Sequence, residues 1–186
     1  MHIGLVLRVV AILLLIVSAF MVFPIMWAFH YQEHEIIRYF LIPIICMFVL
    51  AVPILVFARR SDKTLSTRDG FLLVTLSWVC SAFFGCLPLY LSGAIPHFTD
   101  AFFETMSGFT TTGASILTEI ESLPKSMLFW RSLTHWLGGM GIVVLTIAVF
   151  PLLGIGAYQL MKAEAPGPTL DKITPKVAQT AKILWF

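Results

Sequence analysis

The stretch FFETMSGFTTTGASIL, residues 102–117, places Thr110, Thr111, Thr112, Gly113, Ala114 and Ser115 in succession. Side chains this small leave the backbone as the chemically competent surface. A row of carbonyl oxygens facing one axis can replace the water shell of a monovalent cation, and small residues keep the chain narrow enough to line such a path. Gly113 is free to take a conformation that turns its carbonyl inward, while the threonine hydroxyls can turn away and hydrogen-bond the scaffold. Thr110, Thr111, Thr112, Gly113 and Ala114 are therefore the candidate ion-binding residues, through their main-chain oxygens. A bare T-T-T-G occurs in many soluble loops, so the reading depends on the elements around it.

Two carboxylates lie just ahead of this stretch. Asp100 and Glu104 are four apart and share one helix face. They read as a cap plus an outer-vestibule charge, which would raise the local cation concentration at a pore mouth. Arg131 sits about one turn inside a later apolar span, where an unpaired charge is expensive; Glu104 and Glu119 are its candidate partners. His135 reads as a buried hydrogen-bonding residue, since no second histidine and carboxylate accompany it for a zinc site. Cys46, Cys80 and Cys86 lie inside apolar runs and read as packing residues. An intramembrane enzyme would need a nucleophile–base pair or a metal cluster at one depth. His135 and Glu104 alone offer themselves, neither in a recognisable signature, so no enzyme is expected.

The elements that must hold these residues are of membrane length. The chain has 186 residues, 59% of them hydrophobic and 12% charged, with a mean hydropathy of +0.93. A soluble domain is about a quarter charged, so lipid is the expected solvent. The net charge of +2 does not point to nucleic acid, because the basic residues fall mainly between apolar runs. A bilayer core takes about 20 helical residues. Spans are predicted over residues 3–29, 36–58, 71–91 and 127–153, with VAQTAKILWF, residues 177–186, opening another. The first run exceeds the signal-peptide core of about 7–15 residues and lacks an A-x-A-like cleavage site, so it reads as a retained helix. Arg8 lies near one end of it and can snorkel to the interface. Pro43 and Pro53 in the second span are tolerated where neighbours re-satisfy the freed carbonyls.

Loop charge sets the orientation. RRSDKTLSTRD, residues 59–69, holds four Lys/Arg, HYQEHE, residues 30–35, holds none, and Lys162, Lys172 and Lys176 follow the fourth span. The positive-inside rule then puts the N-terminus, the 59–69 loop and the 162–176 segment in the cytoplasm. Residues 92–126 lie outside, yet IPHFTDAFFETMSGF is too apolar for a solvated loop. It reads as a short helix capped by Thr99 or Asp100, with apolar contacts from Ala101, Phe102, Met106 and Phe109. It is expected to stop at Gly108. About ten residues give roughly 15 Å, half a membrane. A half-helix that returns as extended chain is tolerated only in protein or along a watery cavity, and its C-terminal end, partly negative, points at the same place. Ser77, Ser81 and Gly85, with Gly138, Gly139 and Gly141, read as close-packing positions around that loop.

DAFFETMSGFTTTGAS, FWRSLTHWLGGMGIVVL, FPLLGIGAYQLMKAEAPGP and TPKVAQTAKILW resemble the bacterial Trk-type potassium uptake proteins, the TrkH/KtrB superfamily, over essentially the whole chain. The first two spans resemble the extra N-terminal pair of the TrkH branch, which the KtrB branch lacks. The resemblance implies a fold of four consecutive helix–pore-loop–helix units around one pore. For this chain it implies an all-α membrane protein with a two-helix N-terminal domain at 1–60 and a first helix–pore-loop–helix unit at 71–153. Pore helix and filter would lie at about 97–116, a cytoplasmic connection at 154–176, and the start of the next transmembrane helix at 177–186. Thr111 and Thr112 match positions whose backbone oxygens bind K+, with Gly113 the filter glycine. The implied function is potassium uptake across the bacterial inner membrane, as a homodimer gated by a cytosolic ring of TrkA-type nucleotide-binding subunits, with K+ the transported ion and no organic cofactor. One filter strand cannot surround an ion, so an N-terminal portion of a longer transporter is expected. The alternatives are a short subunit that forms a pore only as a homotetramer, and a non-conducting membrane assembly subunit.

Overall fold

The computed structural model describes residues 3–58 and 67–139, in which every regular element is helical. Six α-helices follow one another: α1 (Ile3–Phe20), α2 (Val22–His30), α3 (His34–Phe57), α4 (Thr67–Leu91), α5 (Phe98–Phe109) and α6 (Lys125–Gly139), with one 3-10 turn at Ile120–Ser122. Among the described residues, three stretches are long and apolar enough to cross a membrane: Ile3–His30, His34–Phe57 and Arg68–Leu91. Most of the 59–69 loop, the rest of the fourth span, the 154–176 connection and the helix start at 177–186 lie outside the described residues.

The first span, expected as one helix over 3–29, is divided at Met21. The cause is Pro24, the third residue of α2. Its ring crowds the carbonyl four residues earlier, and it has no N–H to donate there. The Met21 amide still reaches the Val17 carbonyl at 3.0 Å, so the chain bends without unwinding. In α3, Pro43 and Pro53 are accommodated inside a helix of 24 residues. Its buried residues are Phe40, Pro43, Met47 and Ala51, a stripe at three- and four-residue spacing. Leu41, Ile42, Ile45, Phe48, Val49 and Val52 stay exposed on the remainder, as suits a helix whose other faces meet lipid. Helix α1 packs against both α3 and α4 and is buried along Leu5, Val9, Leu13 and Val17.

Helix α5 starts after Pro96. His97 is extended (φ −96, ψ 128) and occupies the N-cap position without a side-chain cap bond. The expected Thr99 or Asp100 cap is therefore displaced by two or three residues: the proline sets the start, and both side chains fall in the first turn. Asp100 there still favours the positive end of the helix. Helix α5 lies between α4 and α6, and three glycines permit the approach. A Cβ on Gly85 would come within 2.9 Å of both the Phe109 ring and the Thr105 methyl. One on Gly108 would fall on the Thr134 hydroxyl, and one on Gly138 on the Phe109 carbonyl oxygen. The Trp130 indole, fully buried on α6, donates to the Gly85 carbonyl on α4 at 2.8 Å, and its ring stands edge-on to Phe109 and to Phe40 of α3. Of the small residues read from the sequence, Gly85 and Gly138 thus hold α5 in place, whereas Gly139 leaves room for a methyl; Gly141 lies outside the described residues.

Adjacent glycines on α6 provide a matched test. Gly138→Ala should destabilise by about 1–3 kcal/mol, as overpacking against backbone does. Gly139→Ala should not, because among the described residues its Cβ would meet only the Thr111 methyl, at 3.8 Å. Apparent melting temperatures in detergent, measured on the protein as its gene encodes it, separate the two; equal values would mean that α6 does not press on the end of α5.

Candidate functional site

The helix expected to stop at Gly108 runs one residue further, to Phe109, and ends in a turn that the sequence does not advertise. Thr111 is left-handed, with φ 55. The Thr112 amide donates to the Ser107 carbonyl at 3.0 Å and the Thr111 amide to the Gly108 carbonyl at 3.0 Å. These are the paired bonds of a Schellman motif, whose left-handed position is usually glycine. A side chain bearing a Cβ costs about 1–2 kcal/mol there. Backbone strain of this kind gathers at functional sites.

The three threonine hydroxyls are turned onto this end of the helix. Thr110 Oγ1 donates to the Met106 carbonyl at 2.8 Å and lies 2.8 Å from Thr112 Oγ1, and Thr111 Oγ1 donates to the Thr110 carbonyl at 2.7 Å. Their partners are local, within the run itself and the last turn of α5. Gly113 is again left-handed, with φ 76, and a Cβ on it would meet nothing within 4 Å. Its demand is conformational rather than spatial. Among the described residues, no hydrogen bond reaches the carbonyls of Thr111, Thr112 or Gly113. The next carbonyl, that of Ala114, accepts the Ser107 hydroxyl at 2.6 Å. Residues 110–116 are all exposed, so this run of small residues presents, on a surface flanked by the end of α5, backbone oxygens with no partner among the described residues.

Behind the run sits Glu104. Its side chain is 1% exposed, and donors surround its carboxylate. Arg131 Nε approaches Oε1 at 2.5 Å, Ser115 Oγ lies 3.0 and 3.1 Å from the two oxygens, and the Ile116 amide donates to Oε2 at 3.0 Å. Ser115 Oγ in turn accepts the Leu117 amide at 3.1 Å. A buried carboxylate is tolerated only when paired and hydrogen-bonded in this way.

This burial corrects the vestibule reading of Glu104. Ala101, Glu104, Thr105 and Gly108 form the inward stripe of α5, so Glu104 points into the protein and cannot concentrate cations at a mouth. Asp100, on the neighbouring turn, is half-buried. Of the two partners named for Arg131, Glu104 is the one it meets. His135 Nδ1 lies 2.9 Å from the Arg131 carbonyl, a bond within α6. Among the described residues no group of three His, Cys, Asp or Glu side chains could hold a metal ion. Sequence reasoning did not single out Ser107, whose role depends on a carbonyl seven residues away, or Glu33, which reaches α6 across 92 residues of chain.

Comparison with known proteins shows that the chain is similar to cation transporters. The TrkH family model, described as a cation transport protein, matches residues 38–186. The chain is 51% identical over 130 residues to the Trk system potassium uptake protein TrkH of Halomonas elongata, covering 69% of this chain and 27% of that protein. It is 40% identical over 192 residues to the protein of the same name from Escherichia coli K12, covering 100% of this chain and 39% of that one. The crystal structure of the potassium transporter TrkH from Vibrio parahaemolyticus superposes with a TM-score of 0.75 at 36% identity, over 100% of this chain and 36% of that one. The chain thus spans 27% to 39% of the length of these curated relatives.

The ion pair can be tested by a double-mutant cycle. Glu104→Gln and Arg131→Gln should each cost about 3 kcal/mol, the loss expected when one partner of a buried pair is removed. The double variant should lose clearly less than the two together. Apparent melting temperatures of all four proteins give the coupling, and strictly additive shifts would mean that the pair contributes nothing as a pair.

Proposed function

The chain belongs to the TrkH family of cation transport proteins, and from that membership we propose that it forms part of a potassium uptake pore in which main-chain oxygens bind the ion. The observation that carries this reading is the run of backbone at Thr111, Thr112 and Gly113. Its carbonyls have no partner among the described residues, while the oxygens on either side are engaged at Thr110 and Ala114. Potassium sheds water only where oxygens replace it. Three successive carbonyls on a chain narrowed by small residues offer such a replacement from one side. Thr110 and Ala114 mark the ends of that set. The C-terminal end of α5, which carries part of the helix dipole, adds negative potential without a side-chain charge.

Glu104 has a positioning role in this scheme. Its bonds to Ser115 and Ile116 fasten the chain just past the binding run, and Arg131 neutralises the buried charge. Three further strands of like kind would complete the ring, supplied by the rest of a longer protein. The chain is a membrane protein; the proposal adds that the membrane is the bacterial inner membrane and that the N-terminus is cytoplasmic. It also adds that the whole protein works as a homodimer gated by TrkA-type nucleotide-binding subunits. The relatives' names, Trk system potassium uptake protein, support potassium as the ion.

The test is potassium-limited growth of an uptake-deficient bacterium carrying the protein as its gene encodes it. Gly113→Asp should abolish rescue. Gly93→Asp is the control, because Gly93 is also left-handed (φ +75) with nothing within 4 Å, yet lies in the turn after α4. Equal loss in both variants would assign the effect to backbone strain alone and remove the support for a filter at Gly113.

A further inference from the structure

Helix α6 begins without a cap of its own. It follows Leu123 and Pro124, neither of which carries a side chain able to accept a hydrogen bond, and its first amides would be left open. Glu33, in the turn between α2 and α3, closes them. Oε1 accepts the Lys125 amide at 2.8 Å, and Oε2 accepts the Ser126 amide at 3.0 Å and the Ser126 hydroxyl at 2.6 Å. A carboxylate at the positive end of a helix is favourable on charge as well as on hydrogen bonding.

The turn that presents Glu33 is itself well defined. Gln32 is left-handed, with φ 59, the Glu33 amide donates to the Ala28 carbonyl at 2.8 Å, and the Gln32 amide reaches the Phe29 carbonyl at 3.3 Å. This is a second Schellman motif, so the carboxylate is delivered from a fixed backbone. Just below it, Trp27 meets Phe129 edge-on at 5.3 Å. Six residues after Lys125, about 9 Å along the axis, the same helix presents Arg131 to Glu104. Glu104 then holds Ser115 and Ile116.

We propose that Glu33 is a positioning residue for the ion-binding run: by capping α6 from the N-terminal hairpin, it sets the height and rotation at which Arg131 meets Glu104, and so the placement of the chain after Gly113. The inference rests on the filter reading for its functional consequence, but its structural consequence stands apart from it. Every link from Glu33 to Ile116 is a hydrogen bond, an ion pair or a single stretch of helix. The N-terminal hairpin is thereby a working part of the site.

The experiment compares the unmutated protein, Glu33→Gln and Glu33→Ala, each as its gene encodes it. The first readout is amide hydrogen exchange in detergent. Glu33→Ala should speed exchange at Ile116 and Leu117 about fivefold or more, the factor expected for loss of a helix cap, with α3 unchanged. Glu33→Gln, which keeps one accepting oxygen, should fall between. Faster exchange at Lys125 and Ser126 with Ile116 unchanged would overturn the proposal, as would a uniform speeding over the whole chain. If Glu33→Ala does not accumulate, Glu33→Gln carries the same comparison. The second readout is uptake of K+ against Na+, normalised to protein in the membrane. Discrimination should narrow severalfold in Glu33→Ala, and unchanged discrimination alongside altered exchange would overturn the functional half. Absence of K+ uptake by the unmutated protein would instead defeat the filter reading, with the exchange data still deciding the role of Glu33.

Discussion

One buried carboxylate, that of Glu104, governs the arrangement around it in an apolar helix bundle. Glu104 is almost fully buried, and a bare charge there would cost far more than any one packing contact returns. Its three donors come from two separate pieces of chain: the guanidinium of Arg131 on α6, and the Ser115 hydroxyl and Ile116 amide just past Gly113. Rotating α5, sliding α6 or releasing the chain past Gly113 would each strip a donor from it. Hydrophobic contacts tolerate such shifts because they are non-directional. The hydrogen bonds at Glu104 do not, so the charge acts as a device of specification more than of net stability.

Close packing enforces the same geometry by exclusion. Gly138 brings the α6 backbone onto the Phe109 carbonyl, and Gly85 brings α4 onto the Phe109 ring. Phe109 is the last residue of α5 and is fully buried, so the point at which the helix gives way to the threonine run is gripped from both sides. Trp130 adds a buried bond from α6 to α4 at the same level. Polar anchoring after the run and steric grip before it leave the intervening residues little freedom to drift, although none of them is buried.

Much of this could be read from residue types, and the remainder could not for definite reasons. Long apolar runs separated by charged loops announce the three spans that α1 to α4 fill, and the small residues Gly85 and Gly138 announce close helix contacts. The half-length helix before the threonines is legible from Pro96 and the change in composition after Gly108. The break at Met21 was missed because Pro24 lies within an otherwise uniform run, and proline in an apolar helix bends it at one site and is absorbed at another. The inward face of α5 misleads a hydropathy reading: it carries Glu104, Thr105, Ser107 and Gly108, so helical spacing alone assigns Glu104 to the outside. Glu33 gives no local signal, since its partners lie 92 and 93 residues away.

The two left-handed residues of the run make different contributions. At Gly113 the absence of a side chain permits the conformation, and the same absence permits others. At Thr111 a β-branched residue is held in a conformation that it disfavours, by two amide bonds to the end of α5. Glycine at that position would relieve the strain, but it would also enlarge the set of states open to the chain. Threonine has few alternatives: its backbone is confined by the Cβ and its side chain by restricted χ1 rotamers. Once the Schellman bonds have forced the turn, the carbonyl of Thr111 has one direction rather than several. If the run binds the ion as proposed, its oxygens would replace water around an ion of fixed size, and a narrow distribution of directions would be worth more than the lowest local energy. A strained threonine followed two residues later by a permissive glycine is what that proposed role would favour.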